Sequence, residues 1–119
     1  MNIEHHRKRL LEMERALSRN IERRVQIAHE SSDYQADPAD LSVAEDLRHV
    51  YLGLAQSDSE ILSSVRASLA RIDEGTFGRC AADGEPIEPQ RLDSVPWTQY
   101  CAKHQREHEA AWAWRTPRA

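Results

Sequence analysis

The sequence predicts a mainly α-helical fold: a long antiparallel coiled-coil hairpin over residues 1–74 with an acidic tip at 33–42, then a small knuckle and short C-terminal helix over 75–119. Three observations predict it. Apolar residues recur at helical spacing through two long segments, a single short break holding Pro38 separates them, and an irregular stretch of glycines, prolines and two cysteine turns follows Gly75.

The first segment carries Leu10, Met13, Leu17, Ile21, Val25 and Ala28 at the 3.6-residue period of a helix with one apolar stripe, and is otherwise charged. The second carries Val43, Leu47, Val50 and Leu54, then Ile61, Val65, Leu69 and Ile72, with Ser57 and Asp58 at the expected apolar turn. Each segment is more than twice the roughly 11–12 residues of an average globular helix. Neither stripe can stay in water, so the short break predicts antiparallel pairing. That register sets Ala28 against Val43, Ile21 against Val50, Leu17 against Leu54 and Met13 against Asp58. A compact helical bundle is the alternative, but few other helices are available to build it.

Within the break, Pro38 suits the first position of a helical turn with Asp37 as its N-cap. Ser42 and Glu45 have the spacing of a capping box that opens the second long helix. Gly75 is the expected C-terminal glycine of that helix. A short last helix is expected from Gln105, with Trp97, Trp112 and Trp114 packing the knuckle against it.

Composition narrows the function. A chain of 119 residues with 39% hydrophobic residues has little room for an enclosed catalytic pocket. A net charge of −4 argues against phosphate-backbone binding, where basic surface supplies the affinity. The N-terminal residues lack the apolar core of a signal peptide, and no run approaches a membrane span, so the expected location is the cytoplasm. Neither a nucleophile with its base nor a glycine-rich phosphate loop is present, and no enzyme is expected.

Cys80 and Cys101 each open a four-residue turn, closed by Asp83 and by His104. Structural zinc takes four ligands, usually from paired C-x2-C turns, and it accepts Cys, His and Asp at about 2.0–2.3 Å. A zinc site of Cys80, Asp83, Cys101 and His104 is therefore chemically admissible in a zinc-ribbon-like knuckle. Its alternatives are a zinc-free knuckle held by packing, an Asp83–His104 ion pair, and a Cys80–Cys101 disulfide. Phe77, Ile87, Leu92 and Trp97 are the packing core that a metal-free knuckle needs. The remaining histidines, His5, His6, His29, His49 and His108, sit on charged segments and are expected to be solvated.

The wording Arg71-Ile-Asp-Glu-Gly75-Thr-Phe-Gly78-Arg-Cys80, with Gly84-Glu-Pro-Ile87-Glu-Pro-Gln-Arg91-Leu92 between the turns, resembles the DksA/TraR family of bacterial transcription factors. The resemblance covers residues 5 to 108. Long-hairpin members carry a D-x-x-D-x-A tip that enters the secondary channel of RNA polymerase; Asp37-Pro-Ala-Asp40-Leu-Ser42 matches both acids, with Ser42 in place of the alanine. The resemblance thus implies a monomeric regulator that binds RNA polymerase through Asp37, Asp40 and Ser42, without contacting DNA or a membrane. It implies zinc in the knuckle, although members lacking some cysteines fold without metal. Family positions whose basic side chains hold ppGpp correspond to Ser64, Val95 and Gln105, none cationic, and the extra N-terminal segment of long members has no counterpart here. Binding of ppGpp is therefore expected to be weak. Two rival functions are a coiled-coil adaptor for another protein, and a metal- or redox-responsive sensor built on the two cysteines.

Overall fold

The computed structural model describes the backbone of residues 2–32 and 38–115, and side chains outside 31–41 and 112–115. The helices are α1 (Ile3–Ser32), α2 (Pro38–Glu74), α3 (Pro89–Ser94) and α4 (Ala102–Arg115). α1 and α2 form the long helical hairpin that the periodicity predicts.

α1 starts at Ile3 because Asn2 caps it: Asn2 Oδ1 accepts the His5 backbone N–H at 3.1 Å, satisfying one of the helix's orphan donors. With no glycine or proline inside it, α1 runs for 30 residues, about 45 Å. Its apolar stripe from Leu10 to Ala28 is buried or half-buried throughout. α2 begins at Pro38, whose fixed φ suits the first helical position and whose missing N–H leaves nothing unpaired there. The capping box expected at residues 42–45 therefore lies a turn inside α2 and opens nothing. Asp37, the expected N-cap, lies outside the described residues, as does the rest of 33–37.

α2 stops at Gly75, as expected. Gly75 has φ 78°, and its N–H bonds the Ile72 carbonyl at 3.2 Å while the Thr76 N–H reaches Arg71 at 2.9 Å. This is a Schellman stop, which satisfies the last carbonyls and needs a left-handed residue that only glycine adopts without cost.

The chain divides into two compact units, residues 1–10 with 64–119, and residues 11–63. In the second, the arm, the buried residues among those described are Ala28, Ala55 and Leu62. The inward face of α2 there runs Tyr51, Ala55, Asp58, Leu62, at spacings of four, three and four, all buried or half-buried. The stripe expected to pair with α1 is instead exposed: Val43 59%, Leu47 46%, Val50 56% and Leu54 40%. Arg24, which the expected register sets opposite residue 47, pairs with Asp58 at 2.5 Å and donates to the Leu54 carbonyl at 3.3 Å. The real register is displaced along α2 by about two to three turns. A half-buried carboxylate needs a cation, so Asp58 belongs to the seam and Met13 is not its partner.

The other unit holds the larger core. Leu10 and Val65 are fully buried, and Ile72, Phe77, Cys80, Ile87 and Leu92 are each less than 8% exposed. Phe77, Ile87 and Leu92 are thus the core expected of the knuckle, with Trp97 half-buried beside them. Trp112 and Trp114 carry side chains outside the described residues. His6, expected in solvent, is buried at 4% exposure, its ring 5.4 Å from that of Phe77. Burial lowers its pKa, so the ring is held neutral. The knuckle has one isolated bridge, Arg79 to Pro86, and no strand among the described residues.

Candidate functional site

The Cys80 turn is closed by two short backbone bonds, Cys80 N–H to the Glu85 carbonyl and Gly84 N–H to the Cys80 carbonyl, both 2.8 Å. Gly84 makes the reversal at φ 73°. Asp83 Oδ1 accepts the Glu85 N–H at 3.0 Å, and this bond holds its carboxyl below the usual range. The second turn is joined to the first through Ala81 N–H and the Gln99 carbonyl at 2.7 Å. α4 begins at Ala102, three residues earlier than expected, and so carries His104 in its first turn.

These elements gather around one atom. His104 Nδ1 lies 3.0 Å from Cys101 Sγ, 3.4 Å from Cys80 Sγ and 3.5 Å from Asp83 Oδ2. The two sulfurs and the imidazole nitrogen lie within 4.8 Å of one another. Both thiols are free, Cys80 buried and Cys101 half-buried. Tetrahedral zinc with sulfur at about 2.3 Å and nitrogen at about 2.0 Å would set sulfur and nitrogen about 3.5 Å apart, near the 3.4 Å of Cys80 and beyond the 3.0 Å of Cys101, so the chemistry of these three donors fits the ion. Nδ1 can donate a proton toward Asp83 or a sulfur, or it can bind a metal, but not both at once.

Arg71 and Gln99, which the sequence reading passed over, position this site. The Arg71 guanidinium donates to the Gln99 Oε1 at 3.0 Å, to the Thr76 carbonyl at 3.1 Å and to the Arg79 carbonyl, beside Cys80. Gln99 in turn donates to the buried Ser68 hydroxyl at 2.8 Å and to the Trp97 carbonyl at 3.0 Å. Five guanidinium donors in a fixed fork can tie the end of α2 to both cysteine turns, which a lysine could not. The only sequence signal was an arginine in the last helical turn before Gly75, a position that on its own marks only a helix end.

Ser64, Val95 and Gln105 line one cavity of about 660 Å³, with Trp97, Tyr100 and His108. Arg91, also on its wall, is turned to the Tyr100 carbonyl at 3.0 Å and the Thr98 hydroxyl at 3.3 Å. His108 stacks on Tyr100 with ring centroids 5.1 Å apart. At the arm's tip, Asp37 lies outside the described residues, the Asp40 side chain likewise, and Ser42 is exposed in the first turns of α2.

No family model matches the chain. The RNA polymerase-binding transcription factor DksA of Caulobacter vibrioides is 26% identical over 107 residues, covering 90% of this chain and 75% of that protein. An uncharacterized protein of Aquifex aeolicus is 39% identical over 56 residues, 47% of this chain and 39% of that protein. Among solved structures, transcription factor DksA2 from Pseudomonas aeruginosa matches with a TM-score of 0.79 and 26% identity, over 93% of this chain and 85% of that one.

Proposed function

We propose that this chain, which belongs to the DksA family, binds RNA polymerase and regulates transcription by inserting the tip of its hairpin into the secondary channel. The observation that carries the reading is the match to an RNA polymerase-binding factor over 90% of the chain, tip and knuckle included. Charge supports it. Between residues 33 and 60 stand Asp33, Asp37, Asp40, Glu45, Asp46, Asp58 and Glu60 against Arg48. Carboxylates are hard oxygen ligands for Mg²⁺ and partners for Arg or Lys, so an acidic tip suits a catalytic channel that holds both, and is repelled by DNA. Asp37 and Asp40 act at the active centre while the knuckle and Arg71 hold the hairpin's base. The protein acts by binding, not catalysis. A pull-down with core polymerase at micromolar protein tests this directly: recovery of the chain is expected, and no recovery overturns the proposal.

In the knuckle, Cys80, Cys101 and His104, with Asp83 as fourth ligand, would hold a zinc ion. When bound, it supplies a cross-link between the two turns. Because Asp83 and His104 replace thiolates, the expected content of purified protein is well below one zinc per chain by elemental analysis. The packing of Phe77, Ile87 and Leu92 should then keep the thermal melt nearly unchanged in EDTA. One tightly held zinc, or a large EDTA-induced drop in Tm, contradicts this. For ppGpp, the cavity lined by Ser64, Val95 and Gln105 lacks a cation at all three positions. Little synergy is therefore expected on a polymerase stripped of its own ppGpp site.

A further inference from the structure

Cys80, Cys101 and His104 bring two sulfurs and one imidazole nitrogen within 4.8 Å of one another, and Asp83 does not belong to that group. Its Oδ2 comes to 3.5 Å from His104 Nδ1, while its Oδ1 accepts the Glu85 N–H at 3.0 Å in closing the turn. The knuckle thus offers three convergent donors, with a hard carboxylate standing to one side. That count suits zinc poorly. A structural zinc takes four protein ligands, and a zinc held by three keeps water in the fourth place.

His104 is presented as a metal-binding histidine is. Its Nδ1 faces both sulfurs, at 3.0 Å from Cys101 and 3.4 Å from Cys80, and Glu107 Oε2 stands 3.9 Å from Nε2. A ligating histidine usually directs its second N–H toward a carboxylate, which fixes the tautomer that leaves the other nitrogen open to metal. α4 builds this arrangement, since Glu107 follows His104 by one helical turn. Softness then selects the ion. Thiolates select Cu(I), zinc and iron–sulfur clusters, whereas carboxylates suit magnesium, calcium and manganese. An iron–sulfur cluster needs four cysteine or histidine ligands, and three converge here. Zinc needs Asp83 or water to complete its shell. Cu(I), a closed-shell monovalent ion, is satisfied by three soft donors and gains little from a carboxylate.

We propose that the knuckle is a Cu(I) site, three-coordinate through Cys80 Sγ, Cys101 Sγ and His104 Nδ1, with Asp83 outside the coordination shell. Binding replaces the two thiol protons, which pass to solvent, and the copper stays monovalent throughout. The site goes beyond polymerase binding and does not depend on it. The same shortage of a fourth donor accounts for the weak zinc retention expected above.

The test uses the purified full chain without oxygen. Cu(I), supplied as its acetonitrile complex, is competed against a chromophoric Cu(I) chelator, and zinc in parallel against a chromophoric zinc chelator. One Cu(I) per chain is expected, held about a hundredfold or more tighter than zinc. Any two thiols favour Cu(I) to some degree, so variants and spectroscopy separate a built site from loose thiol binding. His104→Gln should lower Cu(I) affinity about tenfold or more, while Asp83→Asn should stay within about threefold of the parent. X-ray absorption of the copper-loaded parent should show three neighbours, two of them sulfur. Zinc held as tightly as Cu(I) overturns the assignment. So does a tenfold loss in Asp83→Asn, which would put the carboxylate in the shell, or parent-like binding by His104→Gln. Should His104→Gln lower the melt of the metal-free protein, the absorption spectrum of the parent decides, and copper with sulfur neighbours alone overturns the site.

Discussion

The two units of the chain bury themselves in different ways. The unit of residues 1–10 and 64–119 closes a core around Leu10 and Val65 and ties it with the Arg71–Gln99–Ser68 network. Among the described residues, the arm of residues 11–63 hides little more than Ala28, Ala55 and Leu62 while leaving five aliphatic side chains of α2, Val43, Leu47, Val50, Leu52 and Leu54, exposed. The larger buried core lies in the first. Polar groups differ as well: the first unit carries a branched network from Arg71 through Gln99 to Ser68, whereas at the arm's seam Arg24 meets Asp58 and the Leu54 carbonyl.

Substitutions can break or sharpen this contrast. Leu10→Ala, at a fully buried site, should cost about 2–5 kcal/mol in urea unfolding, whereas Val50→Ala in the arm should fall within about 0.5 kcal/mol of the parent. Comparable losses at the two sites would dissolve the distinction. Arg71→Ala should cost about 2–4 kcal/mol, since it removes charge-assisted bonds to Gln99, Thr76 and Arg79 together. A double-mutant cycle with Gln99→Ala should give a coupling above about 0.5 kcal/mol; additivity would show the network to be ornamental. Asp58→Ala should cost about 1–2 kcal/mol, because it strands Arg24 in a half-buried seam. The smallest effect has the opposite sign. Gly53 lies within α2 with nothing within 4 Å of an added Cβ, so Gly53→Ala should raise stability by about 0.5–1 kcal/mol.

Much of the fold is legible in the sequence, and where it is not the reason is physical. The α1 stripe reads correctly because its inward positions are its large apolar residues, and Gly75 reads correctly because only a glycine suits the stop it makes. The α2 stripe misleads because its largest aliphatics, Val43 to Leu54, are not its inward residues. The seam instead passes through Tyr51, Ala55 and Asp58, and a search by hydrophobicity rejects the aspartate that the fold retains by pairing it with Arg24. An unbroken three-four spacing from Tyr51 to Ile72 was the available signal. Of the four residues expected to be ligands, Cys80, Cys101 and His104 come within 4.8 Å of one another, because each turn is a local element whose spacing the sequence shows. His6 and Arg71 do not, because burial against Phe77 and a fork spanning both turns are long-range facts with no local signature.

Central to this account is that the arm delivers Asp37 and Asp40 to the polymerase active centre while other surfaces supply the binding. In vitro transcription at a sensitive promoter, paired with a binding assay on the same D37N/D40N variant, tests it most directly. The variant should bind core polymerase within a fewfold of the parent and lose its effect on transcription. A variant that binds and still regulates as the parent does would contradict the account and leave the chain an adaptor whose tip is idle.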